Sequence, residues 1–490
     1  MEDQTMLAEQ ALNLAKDRGA TYADVRIEEI DEENLSVKSG AVDLIEKSTD
    51  FGFGIRVIAD GAWGFAASAD LNPDSIKKTA HLAVEIAKAS SKVKNRDVAL
   101  SLLPKTVDSY KTTILTDPFS VPLKEKIDYL LLWNSLMNKV SGVSQTEAFM
   151  NFIRRNKLFA SSEGSKIQQV IIQSGAGITA TAQKETNPGS MKSSRAMGVR
   201  SYPNSSGQHQ TKGYELIGEL GFENNAERIA QEAVALLSAK ECPSANTTVI
   251  LDGTQLTLQI HESIGHPLEL DRVFGAEKNF SGTSFATVDK LNNLKYGSEI
   301  VNVVADSTCP YGLGTFGYDD EGVKANKSFL IKNGILVGYL TSRETAPLIG
   351  TASNGCMRAS SWANIPLIRM TNINLLPGDK TLDAIISEVD DGIYMQTVRT
   401  WSIDDNRENF EMGCEIGWEI KNGKLGEMIK NPSYSGTTVE FWNSCNAIAN
   451  EKSWEIWGTP NCGKGQPAQN MPTSQGCSPA RFRNVKVGNQ

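Results

Sequence analysis

The stretch that most narrows what this chain can become is Gln259-Ile260-His261-Glu262-Ser263-Ile264-Gly265-His266-Pro267, which holds two of the only four histidines. Two imidazoles and a carboxylate in six residues have the composition of a zinc site that activates water. The spacing is unusual. In H-E-x-x-H the histidines fall at i and i+4, about 40° apart around a helix, so both reach one metal. Here they fall at i and i+5, about 140° apart on a regular helix. Gly265 leaves helical φ/ψ cheaply, and Pro267 biases His266 away from the α region. The helix carrying His261 and Glu262 is therefore expected to widen or end at Gly265, with His266 swinging back; a π-bulge would do the same. Two histidines near a helix end also serve as plain hydrogen-bonded residues, so the metal reading needs a third ligand.

A chain of 490 residues exceeds one ordinary core, so two or three domains are expected. The net charge of −9 and the absence of a basic cluster argue against direct binding to nucleic acid or to an anionic membrane. The acidic start, Met1-Glu2-Asp3-Gln4, does not read as a signal peptide. The longest apolar run, around Tyr129 to Trp133, is too short to span a bilayer. Seven cysteines, none in a C-x-x-C pair, suggest no disulfide framework and fit a reducing cytoplasm.

Along the chain the pattern predicts an α+β protein. An N-terminal α/β domain with antiparallel strands covers residues 1–100. Gln4 to Asp17 reads as a helix, and Asp24 to Glu28 and Asn34 to Lys38 as strands. Phe51 to Ile58 and Gly61 to Phe65 form a hairpin around Asp60-Gly61, their glycines marking closely packed strands rather than a phosphate loop. A helix capped by Asn72 runs to about Ser90; its apolar face carries Ile76, Ala80, Ala83, Ile86 and Ala87, with His81 and Glu85 on the charged side.

The middle region, 101–240, opens with a polar link and a helix from about Leu123 to Lys139. Strands follow between Thr146 and Thr181, then a long polar loop, Lys184 to Gly213, in which His209 is expected to be solvated. Asn225 to Lys240 is an amphipathic helix. A β-rich C-terminal domain, 241–490, carries the histidine helix, with Asn-Gly hairpin turns at Asn333-Gly334 and Asn422-Gly423. Leu382 to Glu388 and Glu440 to Asn450 look helical there, and the last thirty residues show little periodicity.

A hydrolytic zinc site wants three protein ligands and one open position. Glu269 and Asp271 stand close after the second histidine, though Asp271-Arg272 reads equally well as an ion pair. The seven cysteines are the other candidates, and composition does not choose among them.

The assembled pattern resembles the TldD/PmbA family of metalloproteases, also called modulators of DNA gyrase, and within it the metal-bearing TldD type. The segments that carry the resemblance span most of the chain. They include Gly52 to Gly64, His261 to His266, Gly317-Tyr318-Asp319-Asp320-Glu321-Gly322, Arg369-Met370-Thr371-Asn372, Leu376-Pro377-Gly378, Asp391-Gly392-Ile393-Tyr394 and Cys462-Gly463-Lys464-Gly465-Gln466. The resemblance implies that His261, His266 and Cys462 bind zinc, with Glu262 as general base on a metal-bound water. Cys477 is the rival third ligand. Cys356 and Met357 stand where relatives tend to carry arginine, which bears on substrate preference rather than on the zinc chemistry.

The function so implied is a zinc metallopeptidase that cleaves unfolded or extended peptides inside a chamber enclosed by a dimer. The dimer would be a homodimer, or a heterodimer with a TldE/PmbA-like sister subunit. The alternative is a non-catalytic peptide-binding or regulatory protein with a structural zinc site, for which a carboxylate beside a ligand would have no use.

Overall fold

A computed structural model describes residues 2–186 and 194–488. The chain begins with α1 (Glu2–Asp17), β1 (Tyr22–Lys38), β2 (Ala41–Ala59), β3 (Ala62–Ser68) and α2 (Pro73–Ser90). Local signals explain these elements. Asn72 Oδ1 accepts from Ser75 N at 2.9 Å and caps α2, with Pro73 in its first turn. Asp60 and Gly61, both at positive φ, form the β2–β3 turn. On α2, Val84 is buried where Ile86 was expected, and Ile86 is exposed. The helix sits rotated slightly from its ideal apolar stripe.

Next come β4 (Val107–Lys111), α3 (Leu123–Asn138), β5 (Val143–Ser161), β6 (Lys166–Thr186), β7 (Ser194–Tyr202), β8 (Gln208–Gln210), α4 (Glu215–Glu219) and α5 (Phe222–Leu236). The short strands expected here are pieces of longer ones. β1 pairs with β5 over its length, so strands from both sides of residue 100 share one sheet, ordered β3-β2-β1-β5-β6-β4. The helices α1 and α2 cover one end of it, and α3 and α5 the other.

The expected polar loop is largely β-structure in its described parts, because β7 and β8 both pair with β6. His209 is buried, 6% exposed, stacked against Phe149 with Nε2 3.0 Å from Ser206 O. Its polar neighbours in sequence hid this. Residues 187–193 of that expected loop lie outside the described residues.

The alternating polar residues of β1 do not face water. Asp24, Arg26 and Glu28 are buried, and Asp24 and Glu28 find their partners in Tyr22 and Arg56 and in Arg155 and Lys157. Arg56 binds Asp24 at 2.7 Å and Glu321 at 3.3 Å, and Arg26 donates to the Ser361 and Asn364 carbonyls. The glycines of β2 serve close approach: a Cβ on Gly54 would lie 2.3 Å from Trp362 O.

The C-terminal part is built on a second eight-stranded sheet. It includes β9 (Lys240–Glu241), β10 (Ala245–Leu251) and the strands Asp391–Ile403, Asn409–Lys421, Lys424–Lys430, Ser433–Thr437 and Ala480–Val487. One expectation fails here. Only Thr438–Asn443 of the segment to Asn450 is helical, since Cys445–Ile448 pairs with Ala480–Val487. The aperiodic tail forms the hairpin Glu455–Lys464/Gln469–Cys477 and the central strand Ala480–Val487; Gln469–Cys477 is buried on both faces but for Asn470, and so shows no alternation. Among the described residues, no helix is long and apolar enough to cross a membrane.

Candidate metal centre

The helix α6 (Gly253–Ile260) starts at Asp252, whose Oδ1 accepts from Thr254 N at 3.0 Å. Its Leu256 and Ile260 sit in the C-terminal core, and its polar residues are buried too, Gln255 and Gln259 bonded to the Tyr434 hydroxyl and Thr257 to Gln475. From His261 to Gly265 the helix widens into a π turn, closed by the His266 N–H donating to His261 O, and a 3-10 turn over His266–Leu268 follows. A residue five positions on thereby returns to the same side.

The widening does not work through the backbone freedom expected of Gly265 and Pro267. Gly265 (φ −59, ψ −63) and His266 (φ −62, ψ −43) both stay in the right-handed helical region. Gly265 is needed for space instead: a Cβ there would lie 2.0 Å from Met370 Sδ. Around the turn, Tyr296 donates to Ser263 O, and Trp442 Nε1 donates to Ser263 Oγ at 2.9 Å. These contacts tie the turn to distant parts of the core.

The two imidazole rings stand 4.9 Å apart and nearly perpendicular. Cys462, on the hairpin strand Glu455–Lys464, brings its Sγ to 3.5 Å from His266 Nε2. One donor atom from each of His261, His266 and Cys462 lies within 4.8 Å of the others, and all three residues are buried. At tetrahedral angles, zinc's usual bond lengths place a sulfur and a nitrogen ligand about 3.6 Å apart. The Sγ–Nε2 spacing and the His₂Cys donor set fit that ion.

Of the other candidates, Glu269 and Asp271 are engaged elsewhere. His266 Nδ1 donates to Glu269 Oε2 at 3.0 Å, which leaves Nε2 free to ligate. Glu269 is also held by Arg272 at 3.3 Å and Lys464 at 3.4 Å. Lys464 bridges on to Asp271 at 2.7 Å. Cys477 Sγ lies 3.6 Å from Gly253 O and outside the three-donor group. The Gln475 amide reaches His261 Nδ1 at 3.1 Å.

Electrostatics favour the ligating forms. Burial pushes the Cys462 thiol up, but His266 and Arg369 pull it below its ordinary value. Burial holds His261 below its usual range, hence neutral. Burial also raises the Glu262 carboxyl, but His266, His261 and Arg407 outweigh it, and the group ionises below its ordinary range. Glu262 Oε2 accepts from Arg407 Nη1 at 2.7 Å, while no hydrogen bond within the described residues occupies Oε1. Sequence reasoning missed Arg407, Gln475 and the binding of Arg369 to the Cys462 carbonyl. No motif spacing marks them, because each meets the site only through folding.

Two imidazoles and a thiol gathered beside an ionised carboxylate, inside a β-rich core, form the kind of centre a metallohydrolase uses. Residues 244–489 match the C-terminal domain profile of the PmbA/TldA metallopeptidases, residues 116–240 the central domain and residues 23–87 domain 1. The chain belongs to the PmbA/TldD metallopeptidase family. A metalloprotease of Methanocaldococcus jannaschii is 28% identical over 464 residues, 93% of this chain and 94% of that protein. A zinc metalloprotease TldD homolog of Saccharolobus solfataricus is 22% identical over 477 residues, covering 97% and 98%. In fold, the chain is similar to a Thermotoga maritima protein described as a modulator of a DNA gyrase, with TM-score 0.75 and 18% identity over 99% and 100% of the two chains. It is also similar to TldE from Thermococcus kodakarensis, with TM-score 0.67 and 16% identity over 99% and 100%.

Proposed function

We propose that this chain is a zinc-dependent peptidase of unfolded or extended peptides, with His261, His266 and Cys462 as ligands and Glu262 as general base. The observation that carries the reading is the 3.5 Å approach of Cys462 Sγ to His266 Nε2, next to a carboxylate with one oxygen unoccupied. Zinc is named for the Saccharolobus relative, and the donor set suits it. Held by these three residues, zinc supplies Lewis acidity to a water and to a peptide carbonyl.

The chain's own groups supply the proton chemistry. Glu262 Oε1 takes a proton from the attacking water as its oxygen bonds to the carbonyl carbon. The same carboxyl returns that proton to the amide nitrogen as the C–N bond breaks. Glu269 holds the proton on His266 Nδ1 throughout. A β-rich domain suits an extended peptide, which a sheet edge can hold as an added strand. Pairing with a second copy or a TldE-like sister chain, enclosing the site in a chamber, completes the reading.

A structural four-ligand site is the competing possibility, and the distance of Cys477 from the other donors counts against it. Metal analysis beside peptide hydrolysis separates the two. The wild type should carry about one zinc per chain, as a single three-ligand site requires. His261→Ala and Cys462→Ala should lose it, Cys477→Ala should keep it, and Glu262→Gln should keep zinc while losing cleavage. Zinc that survives Cys462→Ala removes the third ligand from this assignment. Zinc without cleavage of any unfolded peptide, alone or with a sister subunit, favours the binding-protein alternative.

A further inference from the structure

Arg407 occupies the turn between the strands Asp391–Ile403 and Asn409–Lys421, in the left-handed region at φ 61. That conformation is costly for a residue with a Cβ and persists only where the surroundings impose it. Here they do. Within the turn, Arg407 N donates to Asp404 O at 2.9 Å. On one flank Thr283 N donates to Asp405 O at 2.7 Å and Phe285 N to Asn406 O at 3.0 Å. On the other, Thr438 Oγ1 donates to Arg407 O at 2.9 Å. The result is a guanidinium delivered to Glu262 from 145 residues away in sequence.

Its donors are only partly used. Nη1 goes to Glu262 Oε2, Nη2 reaches Ser281 O at 3.3 Å, and Nε is buried without a hydrogen-bond partner. A buried unpaired donor in a native core calls for a reason. Of the other cations near the centre, Arg272 serves Glu269 and Ser281, and Arg369 binds the Cys462 and Gln469 carbonyls; its Nε is also unpaired, but its side chain is only 1% exposed. The Arg407 and Glu262 side chains retain 13% and 9% exposure, so this pair is not sealed from solvent.

We infer that Arg407 is a catalytic residue that donates to the scissile carbonyl oxygen and stabilises the negative charge growing there as water adds. The assignment rests on the peptidase reading above. Water activated by Glu262 Oε1 attacks a carbonyl carbon held beside that carboxylate, which puts the carbonyl oxygen within reach of the guanidinium on Oε2. A fixed cation in a water-poor site stabilises that oxygen far more than water could. No new bond is made or broken by Arg407: it keeps its protons, and the proton from water travels through Glu262 to the leaving amine.

The test compares wild type, Arg407→Ala and Arg407→Gln, each checked for zinc content and thermal unfolding. Two readouts are taken: kcat and KM on an unfolded peptide, and calorimetric affinity for a phosphinic pseudopeptide, which carries the tetrahedral charge, beside the plain peptide. Loss of one such donor costs about 10²–10³ in kcat. Both variants should keep zinc, lose kcat on that scale with KM little changed, and lose affinity for the phosphinate but not for the plain peptide. Phosphinate affinity equal to wild type in either zinc-loaded variant overturns the assignment, since Arg407 would then act only by holding Glu262. A wild type that holds zinc, hydrolyses nothing and prefers no phosphinate sinks the peptidase reading itself, an outcome distinct from the first.

Discussion

Gly265 and Met370 are packed so closely that a Cβ on the glycine would sit 2.0 Å from the methionine sulfur. Met370 is fully buried, so the sulfur has little room to retreat. Overpacking of this kind costs about 1–3 kcal/mol. Gly265→Ala should lower stability to denaturant by that amount and weaken zinc retention, because the π turn must shift. Adding Met370→Ala should restore part of the loss, giving a favourable coupling in a double-mutant cycle.

Glu269 orients the second histidine. Its carboxylate ionises well below the ordinary range: burial opposes this, but Lys464, His266 and Arg272 outweigh burial. Glu269→Gln removes the charge that fixes the Nδ1 proton of His266. Zinc affinity, read by competition with a chromogenic chelator, should fall roughly 10–100-fold, the usual effect of losing such a partner. Unchanged affinity would show that His266 is held by packing alone.

His209 gives stability a measurable pH dependence far from the centre. Burial lowers its imidazole from 6.5 to about 4. The folded state resists protonation that the unfolded state accepts, so this contribution is complete above pH 6.5 and is lost as pH falls toward 4. The loss amounts to about 3 kcal/mol by pH 4. Urea unfolding at pH 7 and pH 4.5 should show a smaller drop for His209→Gln than for wild type. Equal drops would mean that the ring is not held neutral.

Arg56 joins the two sheets' territories through Asp24 and Glu321. Its guanidinium is 2% exposed, and removing one partner of a buried pair leaves a charge uncompensated, at a cost of about 3–5 kcal/mol. Arg56→Met should show that loss in chemical denaturation. The double change Arg56→Met with Asp24→Leu should lose less than the sum of the single changes.

The elements read correctly from sequence are those fixed within a few residues. The Asn72 cap, the Asp60-Gly61, Asn333-Gly334 and Asn422-Gly423 turns and the periodicity of α1, α3 and α5 need no distant partner. Where a segment's environment comes from elsewhere, local pattern misled. Asp24, Arg26 and Glu28 alternate with apolar residues on β1, yet all three are buried, Arg26 against the carbonyls of Ser361 and Asn364. His209 sits in a polar sequence yet inside a sheet, and Gln469–Cys477 lacks alternation because it is buried on both sides.

The candidate site divides the same way. By itself the sequence determined that His261 and Glu262 lie on a helix that must widen or end before His266, because regular α-geometry would not aim both imidazoles at one point. It also determined that a third donor was needed; resemblance, not spacing, nominated Cys462. Tertiary structure alone decided the rest. It resolved the i, i+5 spacing by a π turn against Met370, and brought Cys462 to His266 across 196 residues. It also set Glu269 behind His266 and placed Arg407 on Glu262. The physical reason is range: backbone geometry and capping act between neighbours in the chain, whereas a metal's donors and their supporting charges are chosen by which distant surfaces pack together.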